Sequence, residues 1–145
     1  TKPAYRSAFR KRRCLVPADG FFEWKKKLNV RQPYRISLED DSVFAFAGLW
    51  EHWEKGSTSV INSFTILTTS ANSLISTIHA RMPVILPSEV HTDWLSGPKP
   101  EELLSPYSVT KMKTYPLDSY VNNAHHDDAK CLTPARMTSH PDVIN

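Results

Sequence analysis

Glu23 stands between Phe21, Phe22 and Trp24 in the stretch PADGFFEWKK, directly ahead of Lys25, Lys26 and Lys27. Aromatic neighbours strip water from a carboxylate and disfavour its charged form, so a carboxyl in such company tends toward a raised pKa. A carboxyl titrating nearer neutrality both gives and takes protons, which is what general acid–base chemistry requires. The same residues also fit a plain alternating strand, with Phe22 and Trp24 turned inward and Glu23 outward to solvent. His79, in STIHARMPVIL, is the second candidate. It reads either as a helix C-cap favoured by the macrodipole or as a proton carrier beside a phosphate-binding Arg81. Thr68 and Thr69 offer hydroxyls to the same place, or cap the segment that follows. The one cluster with metal-ligating residue types is HHDDAKC, with His125, His126, Asp127, Asp128 and Cys131. Adjacent histidines point apart and the spacing matches no zinc pattern, so a polar loop is expected there and no metal. No phosphate-binding or dinucleotide glycine loop, no G-x-S-x-G, no H-E-x-x-H and no C-x-x-C is present, and no cofactor is expected.

Charge adds a second signal. The first 27 residues hold nine Lys or Arg against Asp19 and Glu23, whereas the remaining 118 hold nine basic and thirteen acidic residues. A basic segment on a near-neutral body is the footprint of a nucleic-acid binder, or simply a solvated helix face. Two cysteines, Cys14 and Cys131, make no disulfide framework. No apolar run reaches the roughly 18–20 residues of a membrane span, and the opening TKPAYRSAFRKRRC lacks the apolar stretch of a secretory signal. The expected location is the cytoplasm.

The elements that must hold these residues are short. With 145 residues and 40% hydrophobic content the chain is sized for one domain with a buried core. A helix is expected from Thr1 to about Arg12. CLVPADGFFEWKK reads as two strands joined at Pro17–Gly20, and QPYRISL as a third. SVFAFAGLWEHW reads as a long buried strand with a bend at Gly48, and NSFTILTT as another. SANSLISTIH is expected to be a helix capped by Ser70, and SEVHTDWL a helix capped by Ser88. A brief helical turn follows at EELL, then one or two late strands in VTKMKTYPLDSYV. Short strands mixed with short helices, without βαβ alternation, give an α+β domain with a strongly bent sheet. No internal repeat or linker divides the chain. The domain is expected over residues 1–134, with a poorly ordered tail over 135–145.

Taken together, RRCLVPADGFFEWKK, FAGLWEHW, SFTILTTSAN and IHARMPVIL, in this order and spacing, resemble the SOS-response-associated peptidase (SRAP) family. The segment YVNNAHHDDAKCL is similar to that family's late Val-Asn…Asn-Asp-Asp stretch, with His126 where an asparagine is usual. The resemblance implies an α+β fold with a bent, barrel-like, branched mixed sheet and short flanking helices. It implies sensing of abasic sites in single-stranded DNA, in bacteria at the nucleoid during DNA damage. An N-terminal cysteine, exposed by removal of the initiator methionine in an autopeptidase step, attacks the ring-opened sugar aldehyde and closes a thiazolidine crosslink. By the same resemblance Glu23 and His79 are catalytic, Arg81 is a phosphate ligand, and Arg6, Arg10, Arg13, Thr68 and Trp24 contact DNA, although Arg13, ahead of a buried strand, also reads as purely structural. Trp50 and Trp53 are further stacking candidates. The family's opening Cys-Gly-Arg segment and its Asn-Ala-Arg motif have no counterpart in these 145 residues, so the chain by itself is expected not to crosslink. The missing opening segment is then a partner. A non-catalytic single-strand binder and a protease acting on other proteins are the competing readings, the latter without a visible protease arrangement.

Overall fold

The computed structural model describes residues 5–28, 30–55 and 59–136. Its centre is a twelve-residue strand, β4 (Phe44–Lys55), whose first half runs Phe-Ala-Phe-Ala-Gly-Leu with every residue buried. A strand apolar on both faces needs cover on both faces. β1 (Arg13–Ala18) and β5 (Ser59–Ile66) flank β4 in the order β1-β4-β5, and β8 (Ile85–Leu86) pairs with Ala45 and Phe46 beside β5. The sheet therefore branches on one edge of β4. At the branch, the Ala47 amide donates to the Val84 carbonyl, Val84 to Leu67 and Leu67 back to Ala47, each at 2.9 Å.

On one side of this sheet, Phe44 and Phe46 pack with Ile36, Ile75, Met82 and Met112. That layer is closed by a second sheet of β2 (Phe21–Lys27), β3 (Val30–Leu38) and β9 (Met112–Pro116), in the order β2-β3-β9. On the other side, Ala47 and Leu49 pack with Ala8, Val84, Leu86 and Trp94. Two short helices, α1 (Arg6–Lys11) and α2 (His91–Ser96), supply that layer. Trp94 is wholly buried, meets Phe9 edge-on at 5.9 Å, and donates its indole N–H to the Cys14 carbonyl at 2.9 Å. A small ladder of β6 (Thr68–Ser70) and β7 (Arg81–Pro83) completes the strands.

The α+β class and the branched, bent arrangement agree with the sequence. Several details differ from expectation. Every named strand pairing is antiparallel, and among the described residues the sheets do not close into a barrel. SANSLISTIH is not an α-helix, and Ser70 is a strand residue rather than its cap; only a single 3-10 turn forms, over Ile75–Thr77. Asn72 explains this: its Oδ1 accepts the Ile75 amide and its Nδ2 donates to the Tyr107 carbonyl, a side-chain pairing that competes with helix. Likewise SEVHTDWL forms a 3-10 turn over Ser88–Val90 and then α2, with no side-chain cap from Ser88. Gly48 sits in regular strand pairing; its role is space, since a Cβ there falls 2.8 Å from the Cys14 Sγ and 2.9 Å from the Val16 Cγ2. Among the described residues no helix is long and apolar enough to cross a membrane. Residues 1–4, where the first helix was expected to begin, and 137–145, most of the expected tail, lie outside the described residues.

Candidate active site

Strand alternation decides where Glu23 points. Phe21 lies opposite the buried Ile36 and packs against Phe46, with ring centroids 5.7 Å apart. Glu23, two residues on, shares that inner face and lies opposite Tyr34, at the margin where the core gives way to solvent. Phe22 and Trp24 project from the other face and meet each other edge-on at 6.4 Å. Phe22 and Trp24 thus do not wall the carboxylate, while Phe21 and Tyr34 share its face, and the alternating-strand reading with Glu23 outward is inverted. Glu23 is instead a partly shielded inner-face group whose Oε1 accepts its neighbour's amide, Trp24 N–H, at 3.0 Å.

The group that Glu23 faces is His79. Its Oε2 lies 3.8 Å from His79 Nδ1, with the carboxylate side chain 23% exposed and the imidazole 48% exposed. His79 follows the tight turn at Ile75–Thr77, so the C-cap reading lapses along with the helix. Its Nδ1 lies 3.1 Å from the Arg81 amide and 3.0 Å from the Arg81 carbonyl. A neutral ring with a bare Nδ1 accepts from the amide; a ring protonated at Nδ1 donates to the carbonyl. One residue's backbone therefore supports both protonation states, and Nε2 is left facing outward. The β6–β7 ladder sets the next pair. Arg81 is exposed and its Nη2 donates to both the carbonyl and the Oγ1 of Thr68, the latter at 2.9 Å. This fork fixes the guanidinium, and among the described residues Nη1 takes no hydrogen-bond partner. Thr69 points the other way and donates to the Leu104 carbonyl. Glu23, His79, Arg81 and Thr68 therefore assemble as one site.

Trp24 borders the site on the far face of β2. Its indole N–H donates to the Asn122 Oδ1 at 2.7 Å, and Asn122 donates in turn to the Arg31 carbonyl. Asn122 was not singled out from the sequence, although it lies in the quoted YVNNAHHDD segment. Asn72, which holds the turn carrying His79, was also missed; Ser-Ala-Asn-Ser is the local signal for such an Asx-type turn.

Of the two readings of Arg13, its hydrogen bonds fit the structural one. Its guanidinium donates to the carbonyls of Phe9, Arg10, Trp94, Leu95 and Gly97, clamping α1, β1 and α2 together. With its donors so committed, Arg13 is a structural residue. Arg6 and Arg10, one helical turn apart on α1, are exposed on the opposite side of the four-stranded sheet from Glu23. Trp50 and Trp53 lie on the β4 arm of the β4–β5 hairpin, 42% and 49% exposed.

Neither cysteine resembles a nucleophile. Burial pushes the Cys14 thiol above its ordinary value, and Cys131 is buried. The HHDDAKC segment is tied to itself: His126 stacks on Tyr120 at 3.6 Å, the Tyr120 hydroxyl donates to Asp128, and Asp128 caps the Lys130 amide. These bonds hold the Asp128 carboxyl below, and the Tyr120 phenol above, their usual ranges. No group of three or more metal-ligating side chains assembles among the described residues.

Comparison with known proteins agrees with this architecture. The chain is 38% identical over 137 residues to the abasic site processing protein YoqW of Bacillus subtilis, covering 90% of this chain and 61% of that one. It is 30% identical over 162 residues to the abasic site processing protein HMCES of Gallus gallus, covering 94% and 48%. A crystal structure of a protein from Bacteroides thetaiotaomicron superimposes with a TM-score of 0.85 at 33% identity, covering 93% of this chain and 62% of that one. A second, from Bordetella bronchiseptica, gives 0.72 at 29% identity, covering 79% and 59%. The chain thus spans about three fifths or less of the length of these relatives. A family model described as SOS response associated peptidase (SRAP) matches residues 1–124, which include every member of the site around Glu23 and His79, and the chain belongs to that family.

Proposed function

We propose that the Glu23–His79 site performs the proton transfers of abasic-site processing in single-stranded DNA. The observation that carries this reading is the 3.8 Å approach of a partly shielded carboxylate to an imidazole whose backbone partner serves either protonation state. An open-ring abasic sugar presents an aldehyde. In the family chemistry the α-amine of an N-terminal cysteine adds to the aldehyde carbon, and the resulting carbinolamine loses its hydroxyl as water to leave an imine. The thiol sulfur then adds to the imine carbon, its proton passing to nitrogen, and a thiazolidine closes. Glu23 takes a proton from the terminal ammonium to free the attacking amine, and His79 Nε2 delivers one to the ring oxygen on ring opening and to the leaving phosphate oxygen in strand cleavage. In crosslink reversal the C–S bond opens first, water adds to the imine carbon, and His79 protonates the departing amine nitrogen. Arg81, oriented by Thr68, holds the adjoining phosphate through its free donors. The family's terminal cysteine has no counterpart among these 145 residues.

The DNA path follows β2. Lys25 lies two residues beyond Glu23 on the same face, about 7 Å farther along the strand. On the other face Lys26 lies directly opposite Arg31. Two like charges facing each other across a ladder destabilise it, and a bound phosphate relieves that cost. Trp24, fixed by Asn122, offers a ring between these cations and the site for base stacking.

The test joins this chain to an opening segment bearing the family's terminal cysteine and mixes it with an abasic oligonucleotide. Intact mass should give the sum of the two components less one water. Glu23→Gln and His79→Ala should each slow adduct formation by about 10²–10⁴-fold. Unchanged kinetics in both variants would remove the assigned roles. Salt-dependent binding without an adduct would instead establish a non-catalytic single-strand binder.

A further inference from the structure

Glu23 and His79 face each other from elements that share no strand pairing. Glu23 lies on β2 in the sheet β2-β3-β9, whereas His79 lies between β6 and β7, which form a ladder of their own. The 3.8 Å between them is therefore set by whatever holds the segment 71–80 against the Glu23 sheet. That segment is closed at its neck, where the Ala71 amide donates to the Ala80 carbonyl at 3.1 Å. Inside it lies a single turn, too short to persist on its own hydrogen bonds. Ser76 and Thr77 spend their hydroxyls on carbonyls three residues back, within the segment. Ile75 is wholly buried and anchors the turn in the core, and its carbonyl accepts the amides of Ile78 and His79 at 2.8 and 2.9 Å. An apolar contact is non-directional, so the orientation of the turn needs a polar partner.

Asn72 is that partner. Its Oδ1 accepts the Ile75 amide at 3.0 Å and its own carbonyl accepts the Ser76 amide at 2.9 Å, so it caps the turn whose last bond holds the His79 backbone. Its Nδ2 donates to the Tyr107 carbonyl at 2.9 Å and lies 3.3 Å from the Met112 Sδ. Met112 begins β9, the strand that pairs with β3 in the Glu23 sheet. Among the described residues, Asn72 is the one member of 71–78 whose side chain forms a hydrogen bond outside the segment. One carboxamide thus joins the turn that carries His79 to the sheet that carries Glu23. We infer that Asn72 is a positioning residue of this site, acting through His79 by holding the imidazole in reach of Glu23. The inference rests on the proton-transfer reading of Glu23 and His79 given above. Arg81 is held by Thr68 through separate bonds, so phosphate binding is independent of Asn72.

The test uses the joined protein described above and an abasic oligonucleotide, and separates the rate at saturating oligonucleotide from the concentration that gives half of it. A misplacement of about 1 Å near the reacting groups costs up to about 10²-fold, so Asn72→Ala should slow the saturated rate by about 10–10²-fold. The half-saturating concentration should stay unchanged. Asn72→Asp keeps the acceptor for the Ile75 amide and should recover part of the loss. In a His79→Ala background Asn72→Ala should cost nothing further, since the two residues act as a unit. A wild-type rate in Asn72→Ala would overturn the inference. So would a loss of affinity equal to the loss of rate, no recovery with aspartate, or a full additional loss on top of His79→Ala. Asn72→Ser, too short to reach Tyr107, takes the place of Asn72→Ala should that variant not fold. A second readout needs no DNA: the Cε1–H resonance of the His79 ring should shift in Asn72→Ala while the β2 amides keep their positions, and an unmoved ring resonance would also overturn the inference. If Glu23→Gln and His79→Ala leave the kinetics unchanged, the proton-transfer reading falls, whereas the hold of Asn72 on the imidazole is still decided by that resonance.

Discussion

The two long hairpins of this domain share a connectivity and little else. β2–β3 turns tightly at Leu28, carries Lys25, Lys26, Arg31 and Arg35 against a single carboxylate, and packs one face on the core for most of its length. β4–β5 begins deep in the core, yet its outer half exposes five large apolar side chains, Trp50, Trp53, Val60, Ile61 and Phe64, and carries Glu51, Glu54 and Lys55. The difference shows that exposure has two meanings in one small fold. Exposed cations on a well-packed hairpin leave a surface suited to charged, hydrated groups, whereas exposed aromatics on a poorly covered hairpin leave one suited to apolar contact.

The largest expected effect separates the polar groups of the two hairpins. In the joined protein Glu23→Gln should slow adduct formation by about 10²–10⁴-fold, while His52→Gln on β4 should leave the rate unchanged; equal losses would erase the distinction. Next comes the tight turn. Leu28 is held at φ 51°, in the left-handed region, and is 99% exposed. Leu28→Gly should therefore raise stability to chemical denaturation by about 1 kcal/mol. An unchanged or lower midpoint would show that the turn is unstrained. Third, Lys26→Gln with Arg31→Gln should flatten the dependence of log affinity for a single strand on log salt, by about 0.7 in slope for each phosphate no longer neutralised. A parallel shift with unchanged slope would place the phosphates elsewhere.

The smallest effect belongs to β4–β5. His52 bonds to Glu54 at 2.9 Å and Asn62 at 2.7 Å, and these partners, Glu54 first, raise its pKa above the ordinary 6.5. The contribution to stability is fully present below pH 6.5 and is lost as pH rises through the raised value. Melting temperatures of the wild type and His52→Gln should therefore differ at about pH 5.5 and converge at high pH. Divergence toward high pH would reverse the sign.

Period-2 and buried-run patterns located β3, β4 and β5 because strands apolar on one or both faces write their burial directly into residue order. The break at Leu67, which divides NSFTILTT into β5 and β6, was not legible, since it depends on the Ala47–Val84–Leu67 bonds that a linear pattern does not record. The 72–79 segment was misread for a local reason: apolar spacing suggested helix, while Asn72 used its amide to build a turn. For the site, residue types at Glu23 and His79 were informative but their orientation was not. Flanking aromatics on a strand belong to the opposite face, so the setting of Glu23 is decided by Tyr34 and His79, both distant in sequence. Arg13 taught the converse, because an arginine in a basic run proved to be bound to five carbonyls.

The enclosure of β2–β3 between β1 and β4 has a consequence for the order in which the chain matures. β1 finds β4 through pairs such as Arg13↔Leu49 and Ala18↔Phe44, so the whole β2–β3 hairpin is looped out between them. The hairpin can form on the microsecond scale of local contacts, but closing the loop around it is slower. His79 arrives later still, after β4, β5 and β6 have been synthesised and branched. Glu23 and His79 therefore meet only through contacts distant in sequence, and an opening of the sheets would part the carboxylate from the imidazole even with the β2–β3 hairpin intact.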